Sequence, residues 1–445
     1  MSEEVTNCSN SSDEDKTEAG NYFVSNYPPF AFWGEDDLTC LDSLLNSPQP
    51  GTAPLGLYYH IPFCRKRCHF CYFRVYTDKN SSQIRRYIAA TMKELRRYAE
   101  KPYIKGRLPK FVYFGGGTPS YLSAKQLTEL TDEMKEILPW DETEEVTFEC
   151  EPGTLTEKKL EVIKGFGVTR LSLGIENFDD HVLGINGRAH RSEEVFRAYE
   201  FARSLDFEQV NVDLIAGMLE ETEDNWKDSV RKAIELAPDS VTIYQMEIPF
   251  NTTIYRNMRE EGKLTAPVAD WPTKRNWVDY AFSEFEKSGY SVTSAYTAVK
   301  NPAKTKFVYR DRLWAGADML ATGVASFGHL GGIHYQNLPH IEQYQEALEE
   351  DLSAVSRALM TTEDERFLRE LILQWKIGQV NLNYFREKFG QEIETRFEGV
   401  LTNLEKRQFL ERGEDELRLT RQGLLQVDTL LHDFFQEKHQ GGKYA

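Results

Sequence analysis

Residues 57–71 read LYYHIPFCRKRCHFC, and this stretch determines how the rest of the chain is interpreted. The apolar run Leu57–His60 is typical of a strand. Three cysteines follow it with the spacing C-x3-C-x2-C, namely Cys64, Cys68 and Cys71. Three thiolates on one short loop can each bind a different iron of a cubane cluster, which leaves the fourth iron without a protein ligand. A cluster needs such an open iron in order to bind and reduce a small molecule.

A structural zinc site is the main alternative for the three cysteines. Such a site needs four closed nitrogen or sulfur ligands. His69 is adjacent to Cys68, where it can hardly join the same tetrahedron, whereas a distant fourth ligand such as Cys150 stays open. The spacing and the loop position together favour an iron–sulfur cluster.

The composition excludes several classes of function. The 445 residues include 71 acidic and 53 basic ones, a formal charge of −18, which disfavours nucleic acid as a partner because phosphate backbones repel it. No apolar run approaches the roughly 18 residues of a membrane span, and the N-terminus lacks the features of a secretory signal. The scattered cysteines do not resemble a disulfide framework, so we expect a protein of the reducing cytoplasm.

From Leu57 onward, short apolar runs alternate with amphipathic helical segments, a pattern that predicts a parallel α/β fold. Six repeats fall short of the eight in a closed barrel, so the sequence predicts a partial (β/α)6 TIM-like barrel with ligands at the carboxyl ends of its strands. The predicted strands are Leu57–His60, Phe111–Phe114, Val146–Cys150, Arg170–Leu173, Val210–Ile215 and Val241–Tyr244. The predicted helices lie near 81–100, 123–138, 156–165, 192–205 and 222–236.

The composition further divides the chain into five parts. Residues 1–20 are acidic and poor in apolar side chains, which predicts a disordered tail, and 21–54 form an aromatic arm. The barrel is expected over 55–250, a sheet extension near the substrate over 251–350, and a mainly helical, winged-helix-like domain over 351–445. Within the last two parts we predict a helix near 275–288, a strand near Tyr290–Tyr296, a glycine-rich segment at 316–332 and a short strand at Glu416–Leu419.

Polar groups at the predicted strand ends are candidates for ligand binding. The turn at residues 115–119, Gly-Gly-Gly-Thr-Pro, lets backbone amides approach a ligand, although a tight turn without a ligand is the alternative. Glu149 ends the third strand and could pair with an ammonium group or a ribose hydroxyl. Asp213 lies inside an apolar strand, where a carboxylate is costly unless paired, and Arg188 is its expected partner.

Further motifs follow the cysteines in a fixed order. They are Tyr-x-His-Ile-Pro-Phe-Cys at 58–64, Gly-Gly-Gly-Thr-Pro at 115–119, Glu-x-Glu-Pro-Gly at 149–153, Ser-Leu-Gly-Ile at 172–175, Arg188, and Asp-Leu-Ile-x-Gly at 213–217. As a set they resemble the radical S-adenosylmethionine (SAM) superfamily, and within it the oxygen-independent coproporphyrinogen III oxidase-like family. The resemblance runs from about Tyr22 to the end of the chain.

The resemblance implies a radical chemistry. In the superfamily the open iron chelates the amino and carboxylate groups of SAM, and one electron cleaves SAM to methionine and a 5′-deoxyadenosyl radical. It implies a [4Fe-4S] cluster on Cys64, Cys68 and Cys71, and one or two molecules of S-adenosyl-L-methionine. It also implies a low-potential electron donor such as flavodoxin or ferredoxin, and a porphyrinoid or heme-like substrate.

The family pattern also assigns cofactor contacts, but no catalytic residue beyond the cluster. It places Glu149 on the first SAM, while Tyr58 and Phe70 would offer aromatic surface near the cluster and adenosine, or be core. The residues that it assigns to the SAM amino group and to a second SAM are Gly116, Gly117, Thr118, Glu176, Arg188 and Asp213. Glutamine is usual where this chain has Glu176.

Three activities share the scaffold in this family: coproporphyrinogen III oxidation, heme delivery, and methylation with two SAM molecules. True oxidases carry a further cysteine two positions after the third, where this chain has Phe73. The heme chaperones begin almost at the cysteine strand, whereas the arm at Tyr22–Pro54 and the segment Gly323–Gly332 resemble the oxidases. We therefore predict an oxidase-like enzyme acting on a porphyrinoid or other large conjugated substrate. The alternatives are a two-SAM radical methyltransferase of an aromatic or heteroaromatic carbon, and a heme-binding chaperone without turnover.

Overall fold

The structure is a computed structural model that describes residues 23–48, 51–262 and 268–440. The predicted acidic tail at 1–20 lies outside the described residues. Within the described stretches, no helix combines the length and the apolar character needed to cross a bilayer.

Six parallel strands, alternating with helices, form the centre of the main sheet, and all six predicted strands are confirmed. The strands are β1 (Leu55–Ile61), β2 (Pro109–Gly116), β3 (Glu145–Cys150), β4 (Arg170–Glu176), β5 (Gln209–Ala216) and β6 (Ser240–Gln245). The helices, starting in the N-terminal arm, are α1 (Leu38–Leu45), α2 (Ser81–Glu100), α3 (Ala124–Ile137), α4 (Glu157–Gly165), α5 (Asp180–Ile185), α6 (Ser192–Ser204) and α7 (Glu223–Leu236). Side chains of Asn80, Ser123, Thr156 and Thr222 cap α2, α3, α4 and α7, which explains where these helices begin.

Further strands extend the sheet on both sides. They are β7 (Ser291–Val292), β8 (Thr297–Val299), β9 (Asp318–Thr322), β10 (Phe327–Leu330), β11 (Ile333–Asn337) and β12 (Val355–Met360). The helices among them are α8 (Thr253–Glu260), α9 (Trp271–Lys287), α10 (Val308–Trp314) and α11 (Ile341–Glu349). The single strand predicted at Tyr290–Tyr296 is wrong: β7 and β8 pair as a tight hairpin, because Thr293 N–H turns back to donate to Thr297 O at 2.9 Å.

The strand order is β12-β11-β10-β9-β1-β2-β3-β4-β5-β6-β8-β7. Strands β9 and β1 to β6 run parallel to one another, whereas β10 pairs antiparallel with β9, β8 pairs antiparallel with β6, and the strands outside them are antiparallel as well. Because β12 and β7 remain as separate edges, the sheet does not close, as predicted for a partial barrel. Parallel strands bring their carboxyl ends to one edge, where α/β proteins bind ligands.

A second hydrophobic core lies in the last part of the chain, around Phe367, Leu371 and Trp375. Its three short strands form an antiparallel sheet in the order β13-β15-β14, which confirms the predicted strand at Glu416–Leu419. The elements are α12 (Glu363–Trp375), β13 (Gln379–Asn381), α13 (Leu382–Phe389), α14 (Ile393–Arg396), α15 (Glu398–Lys406), β14 (Leu410–Arg412), β15 (Glu416–Leu419), α16 (Arg421–Leu424) and α17 (Val427–Leu431). The boundaries proposed between domains stay predictions.

The described part of the N-terminal arm packs against β10, β11 and β12. The ring of Trp33 stacks on His334, with ring centres 4.9 Å apart. Gly34 forms a bridge with Ala358 of β12 through N–H···O contacts of 3.0 and 2.7 Å. Met360 N–H donates to the carboxylate of Asp37 at 2.8 Å. The arm thus lies along the outer edge of the sheet.

Candidate functional site

The three cysteines lie on a loop after β1 that is bonded to three other parts of the chain. Cys64 N–H donates to Tyr76 O at 3.1 Å, and His69 N–H donates to Asn186 O at 2.9 Å. On the other side, Ile254 N–H donates to His69 O at 3.1 Å. None of the three cysteines forms a disulfide with another described cysteine. The loop therefore presents three thiols from an anchored backbone.

Two of the three sulfurs accept hydrogen bonds from side chains outside the loop. The Thr118 hydroxyl donates to Cys64 Sγ at 3.3 Å, and Arg188 Nη1 donates to Cys68 Sγ, also at 3.3 Å. Burial raises the pKa of the Cys64 thiol to about 11 and that of Cys71 to about 12. Metal binding displaces such protons, and donors aimed at the sulfurs then stabilise the thiolates.

The donor set fits an iron–sulfur cluster better than zinc. Among the described residues, no three His, Cys, Asp or Glu side chains are arranged to hold one metal ion. Structural zinc needs four ligands around one point, whereas a cubane cluster puts each cysteine on its own iron. Cys150, the possible fourth ligand, is buried in β3, where its thiol faces Phe148 O at 4.0 Å.

The glycine turn after β2 packs directly against the cluster loop. A Cβ on Gly117 would lie 3.0 Å from Cys64 Sγ and 2.9 Å from the carbonyl carbon of Pro62. Gly116 has a φ of +118°, and a Cβ there would lie 2.6 Å from the His60 ring. Gly117 requires glycine because the turn approaches the cysteine loop so closely, and Gly116 requires it because of its positive φ and its approach to His60 on β1.

Glu149, at the end of β3, faces the interior of the partial barrel. Its carboxylate accepts hydrogen bonds from the Tyr113 hydroxyl at 2.5 Å and from Gly116 N–H at 3.3 Å. The Tyr58 ring stacks on that of Tyr113, with centres 5.9 Å apart. Burial raises the pKa of Glu149 to about 7, and the nearby Asp213 adds to the rise. A cation bound beside Glu149 would favour the ionised form of its carboxylate.

Asp213 does not have the partner expected from the sequence. The predicted pairing of Asp213 with Arg188 is wrong, because Arg188 lies against Glu176, with 3.6 Å between Nη1 and Oε1. Asp213 instead accepts hydrogen bonds from the Ser172 hydroxyl at 3.0 Å and from Asn211 Nδ2 at 2.9 Å. Neutral donors from the neighbouring strand β4 and from β5 itself therefore bond this carboxylate.

Glu176 ends β4 in an unusual backbone conformation. Its φ is +67°, and the register between β4 and β5 shifts between Gly174 and Glu176. Strained residues of this kind cluster at binding sites, where the surrounding structure holds them. Burial raises the pKa of Glu176 to about 7, against the opposing charge of Arg188. The bulge re-aims the side chain beside Arg188.

Glu149, Glu176 and Asp213 form one acidic cluster, which we call the acidic lumen. Burial raises the pKa of all three, and Asp213 raises that of the other two. Arg170 opposes the rise at Asp213 and Glu149, and Arg188 opposes it at Glu176. Buried carboxylates that outnumber their cations favour a positively charged ligand.

Phe70 packs in a small apolar cluster beneath the cysteine loop. Its neighbours there are Val182, Ile215, Met218 and Met246. These contacts support the core alternative for Phe70, and they leave its predicted contact with adenosine a prediction.

Sequence reasoning missed two charged groups of the site. Glu151 accepts a bidentate hydrogen bond from Arg65 at 3.0 and 3.1 Å and contacts His190 Nδ1 at 3.1 Å. Although burial opposes ionisation, His190 and the charge of Arg188 lower the pKa of Glu151 to about 2. Arg170, buried at the start of β4, could have been found by the signal that identified Asp213, a charge inside an apolar strand.

Comparisons with known proteins agree with this geometry. Residues 58–233 match the Radical SAM superfamily, a stretch that begins on β1 and ends in α7. The fold and the cysteine loop therefore define a radical SAM protein.

Two curated relatives specify the family. The chain is 31% identical over 286 residues to "Heme chaperone HemW" of Haemophilus influenzae, which covers 63% of this chain and 72% of the relative. It is 25% identical over 364 residues to "Oxygen-independent coproporphyrinogen III oxidase" of Escherichia coli, covering 78% and 77%. The chain belongs to the oxygen-independent coproporphyrinogen III oxidase-like family, which includes HemW.

A solved structure shows the same fold along almost the whole chain. Coproporphyrinogen III oxidase (HemN) from Escherichia coli matches with a TM-score of 0.79 and 22% identity, covering 93% of this chain and 96% of that one. The match includes the sheet extension and the C-terminal part as well as the partial barrel.

Proposed function

We propose that this protein is a radical SAM enzyme that generates a 5′-deoxyadenosyl radical. The anchored loop with Cys64, Cys68 and Cys71 carries this proposal, because two of its sulfurs already accept hydrogen bonds from Thr118 and Arg188. Bound there, a [4Fe-4S] cluster supplies an iron for SAM and the electron that cleaves it. A low-potential flavodoxin or ferredoxin is the proposed electron donor.

The acidic lumen supports SAM as the ligand beside the cluster. SAM carries a sulfonium and an ammonium group, and desolvated carboxylates bind such charges strongly. We assign the first SAM to Glu149, held by Tyr113, and to the glycine turn with Gly116, Gly117 and Thr118. Tyr58, stacked on Tyr113, offers a ring beside it.

The positions of the other two carboxylates, Glu176 and Asp213, support a second candidate function that uses a second SAM. Glu176 and Asp213 lie beyond Glu149, and Arg188 offers a cation for a carboxylate of the ligand. One molecule would then be the source of the radical and the other a methyl donor. This arrangement makes a two-SAM methyltransferase of an aromatic or heteroaromatic carbon the second candidate.

The proposed substrate is a porphyrinoid or another large conjugated molecule. Four aromatic side chains near the carboxyl ends of the strands are exposed. They are Tyr72 (38% exposed), Phe73 (47%), Tyr244 (41%) and Phe250 (55%). A flat macrocycle would cover such rings. Phe73 stands where the resemblance places a cysteine in true oxidases, so we expect a different product specificity.

Heme delivery without turnover is the competing function, because the more identical of the two relatives is named a heme chaperone. Anaerobic incubation of the reconstituted protein with SAM, dithionite and either coproporphyrinogen III or heme with a heme-accepting apoprotein, followed by mass spectrometry, separates the candidates. Decarboxylated or methylated product together with 5′-deoxyadenosine supports an enzyme. Release of intact heme to an acceptor, with no 5′-deoxyadenosine, would support the chaperone. Cys64→Ala/Cys68→Ala/Cys71→Ala protein is the matched control for cluster-dependent chemistry.

A further inference from the structure

Arg310, on α10, has a guanidinium edge that no described group uses. Its Nε and Nη2 both donate to Asp311 Oδ1 at 2.8 Å. Its Nη1 is buried and has no hydrogen-bond partner among the described residues, while the side chain as a whole is 12% exposed. Buried donors are nearly always paired in folded proteins, so an unpaired one indicates a missing partner.

The surroundings of Arg310 connect it to the interior of the barrel. Its guanidinium carbon lies 5.7 Å from the ring centre of Phe307 and 5.5 Å from that of Trp314. The Phe307 ring in turn lies 6.4 Å from that of Tyr113, the residue that holds Glu149. The Phe307 ring thus lies between the guanidinium of Arg310 and Tyr113, the tyrosine beside the acidic lumen.

The charged groups of the site are separated along the path from the acidic lumen to Arg310. Glu149, Glu176 and Asp213 repel an anionic group at the carboxyl ends of β3 to β5. Other arginines of the region have partners in the protein. Arg188 contacts Cys68, Gly174 and Glu176 and is assigned above to SAM, and Arg170 lies over the Phe307 ring at 4.0 Å. Arg369 donates to Asn26 Oδ1 at 2.8 Å and to Leu313 O at 3.3 Å. A ligand with both a reactive carbon and carboxylates would therefore direct its carboxylates towards Arg310.

We propose that Arg310 binds a carboxylate of the substrate through a charge-assisted hydrogen bond from Nη1. The identity of the substrate as a porphyrinoid with carboxylate side chains rests on the proposed function, whereas the anion site itself does not. Asp311 is half-exposed and accepts hydrogen bonds from Nε and Nη2 of Arg310. These contacts orient Nη1, and the negative charge of Asp311 partly offsets the positive charge of the guanidinium. A purely internal Arg310–Asp311 pair is the structural alternative.

The test compares two porphyrins that differ in charge. Coproporphyrin III and its tetramethyl ester are titrated in the same detergent into cluster-loaded protein without SAM or reductant, and binding is followed by porphyrin absorbance. Arg310→Gln should weaken binding of the acid by about 10- to 100-fold and change binding of the ester by less than twofold, since a charge-assisted hydrogen bond is lost. Arg310→Lys should restore part of the affinity for the acid.

Two further variants test whether the weaker binding in Arg310→Gln comes from misfolding or from an indirect effect. Arg312→Gln, on the same helix and bonded to Glu144 at 2.8 Å, is the matched control and should leave both affinities unchanged. Asp311→Asn keeps an oxygen that can accept from Nε and Nη2 of Arg310 but removes the negative charge, so it should tighten binding of the acid. Equal losses for acid and ester in Arg310→Gln, or weaker acid binding in Asp311→Asn at an unchanged melting temperature, would overturn the proposal. Formation of 5′-deoxyadenosine is measured separately, so failure of the radical function does not imitate either result.

Discussion

Arg188 joins the cysteine loop to the acidic lumen: its Nη1 lies 3.3 Å from Cys68 Sγ and 3.6 Å from Glu176 Oε1. Its Nη2 also donates to Gly174 O at 2.5 Å, so the guanidinium is held in place from the bulge of β4. The guanidinium of Arg188 thus interacts with a ligand of the proposed cluster and with a carboxylate of the proposed SAM site, so the charge of each acts on it.

The first prediction concerns the reduction potential of the cluster. Reduction adds one negative charge, and a hydrogen bond from Arg188 to a ligating sulfur stabilises that charge. Arg188→Gln should lower the potential, and Arg188→Lys should lower it less because the positive charge remains. A redox titration monitored by electron paramagnetic resonance measures both. Equal potentials in wild type and Arg188→Gln would contradict the role given to the 3.3 Å contact.

The second prediction concerns the cluster ligands. Cys64→Ala/Cys68→Ala/Cys71→Ala protein, reconstituted without oxygen, should contain neither iron nor sulfide, because its three proposed ligands are gone. Cys150→Ala is the matched control and should load fully, since that thiol is buried in β3 against Phe148 O. Iron and sulfide analysis decides the matter, and a full cluster in the triple variant would refute the assignment.

The third prediction concerns the first SAM. Glu149→Ala removes a carboxylate that Tyr113 and Gly116 hold in place, so SAM affinity should fall by about 1–2 kcal/mol, or roughly 5- to 30-fold. Isothermal titration of cluster-loaded protein measures the change. Glu161→Ala, exposed on α4, should bind like wild type. Unchanged affinity in Glu149→Ala would move the SAM site elsewhere.

The fourth prediction concerns the number of SAM molecules. Asp213→Asn keeps the hydrogen bond from Ser172 possible but removes the charge, so it should lose a second SAM while 5′-deoxyadenosine still forms. Equilibrium dialysis should give two SAM per wild-type chain and one per variant. One SAM per chain in both proteins would remove the two-SAM site, and the methyltransferase candidate with it.

The fifth prediction concerns stability against pH and involves Glu94, which is buried in α2 away from the site. Tyr344, Asn337 and Gly323 N–H donate to its carboxylate, yet burial outweighs them and raises its pKa from 4.5 to about 7. The folded state therefore holds a proton that the unfolded state has lost between these values. Stability should fall as pH rises through this window, by up to about 1.4 kcal/mol per pH unit from this group.

Glu94→Gln tests this dependence, because an amide does not titrate. The variant should be less stable overall, since it replaces one acceptor oxygen with an amide nitrogen, but its stability should change less between pH 5 and pH 7. Urea unfolding at several pH values gives both quantities. Parallel pH profiles for wild type and variant would show that Glu94 titrates normally.

The elements that local patterns specify were predictable from the sequence. Apolar runs of four to six residues identified β1 to β6, and capping residues such as Thr156 and Thr222 identified helix starts. The hairpin of β7 and β8 was missed because a run such as Tyr290–Tyr296 does not reveal that its middle turns back. The short strands in the last part were visible at β15 but not at β13, which has three residues.

The candidate site was predictable in its residues and less so in their pairing. The cysteine spacing and a carboxylate inside an apolar strand are local signals, and both identified groups of the site. The partner of Arg188 depends on the bulge at Glu176, a backbone feature with φ of +67° that no propensity of glutamate predicts. The unused edge of Arg310 likewise depends on which neighbours it lacks, which only three-dimensional structure reveals.

The bridge between Gly34 and Ala358 has a consequence for experiments that remove the N-terminal arm. An uncovered outer strand is a template on which another chain can add, and proteins avoid such self-association by covering it. Here Gly34 and Asp37 occupy backbone groups of β12 at Ala358 and Met360. Cutting the chain after residue 48 would uncover this strand and favour aggregation, so inactivity of a truncated protein would report lost solubility rather than lost chemistry.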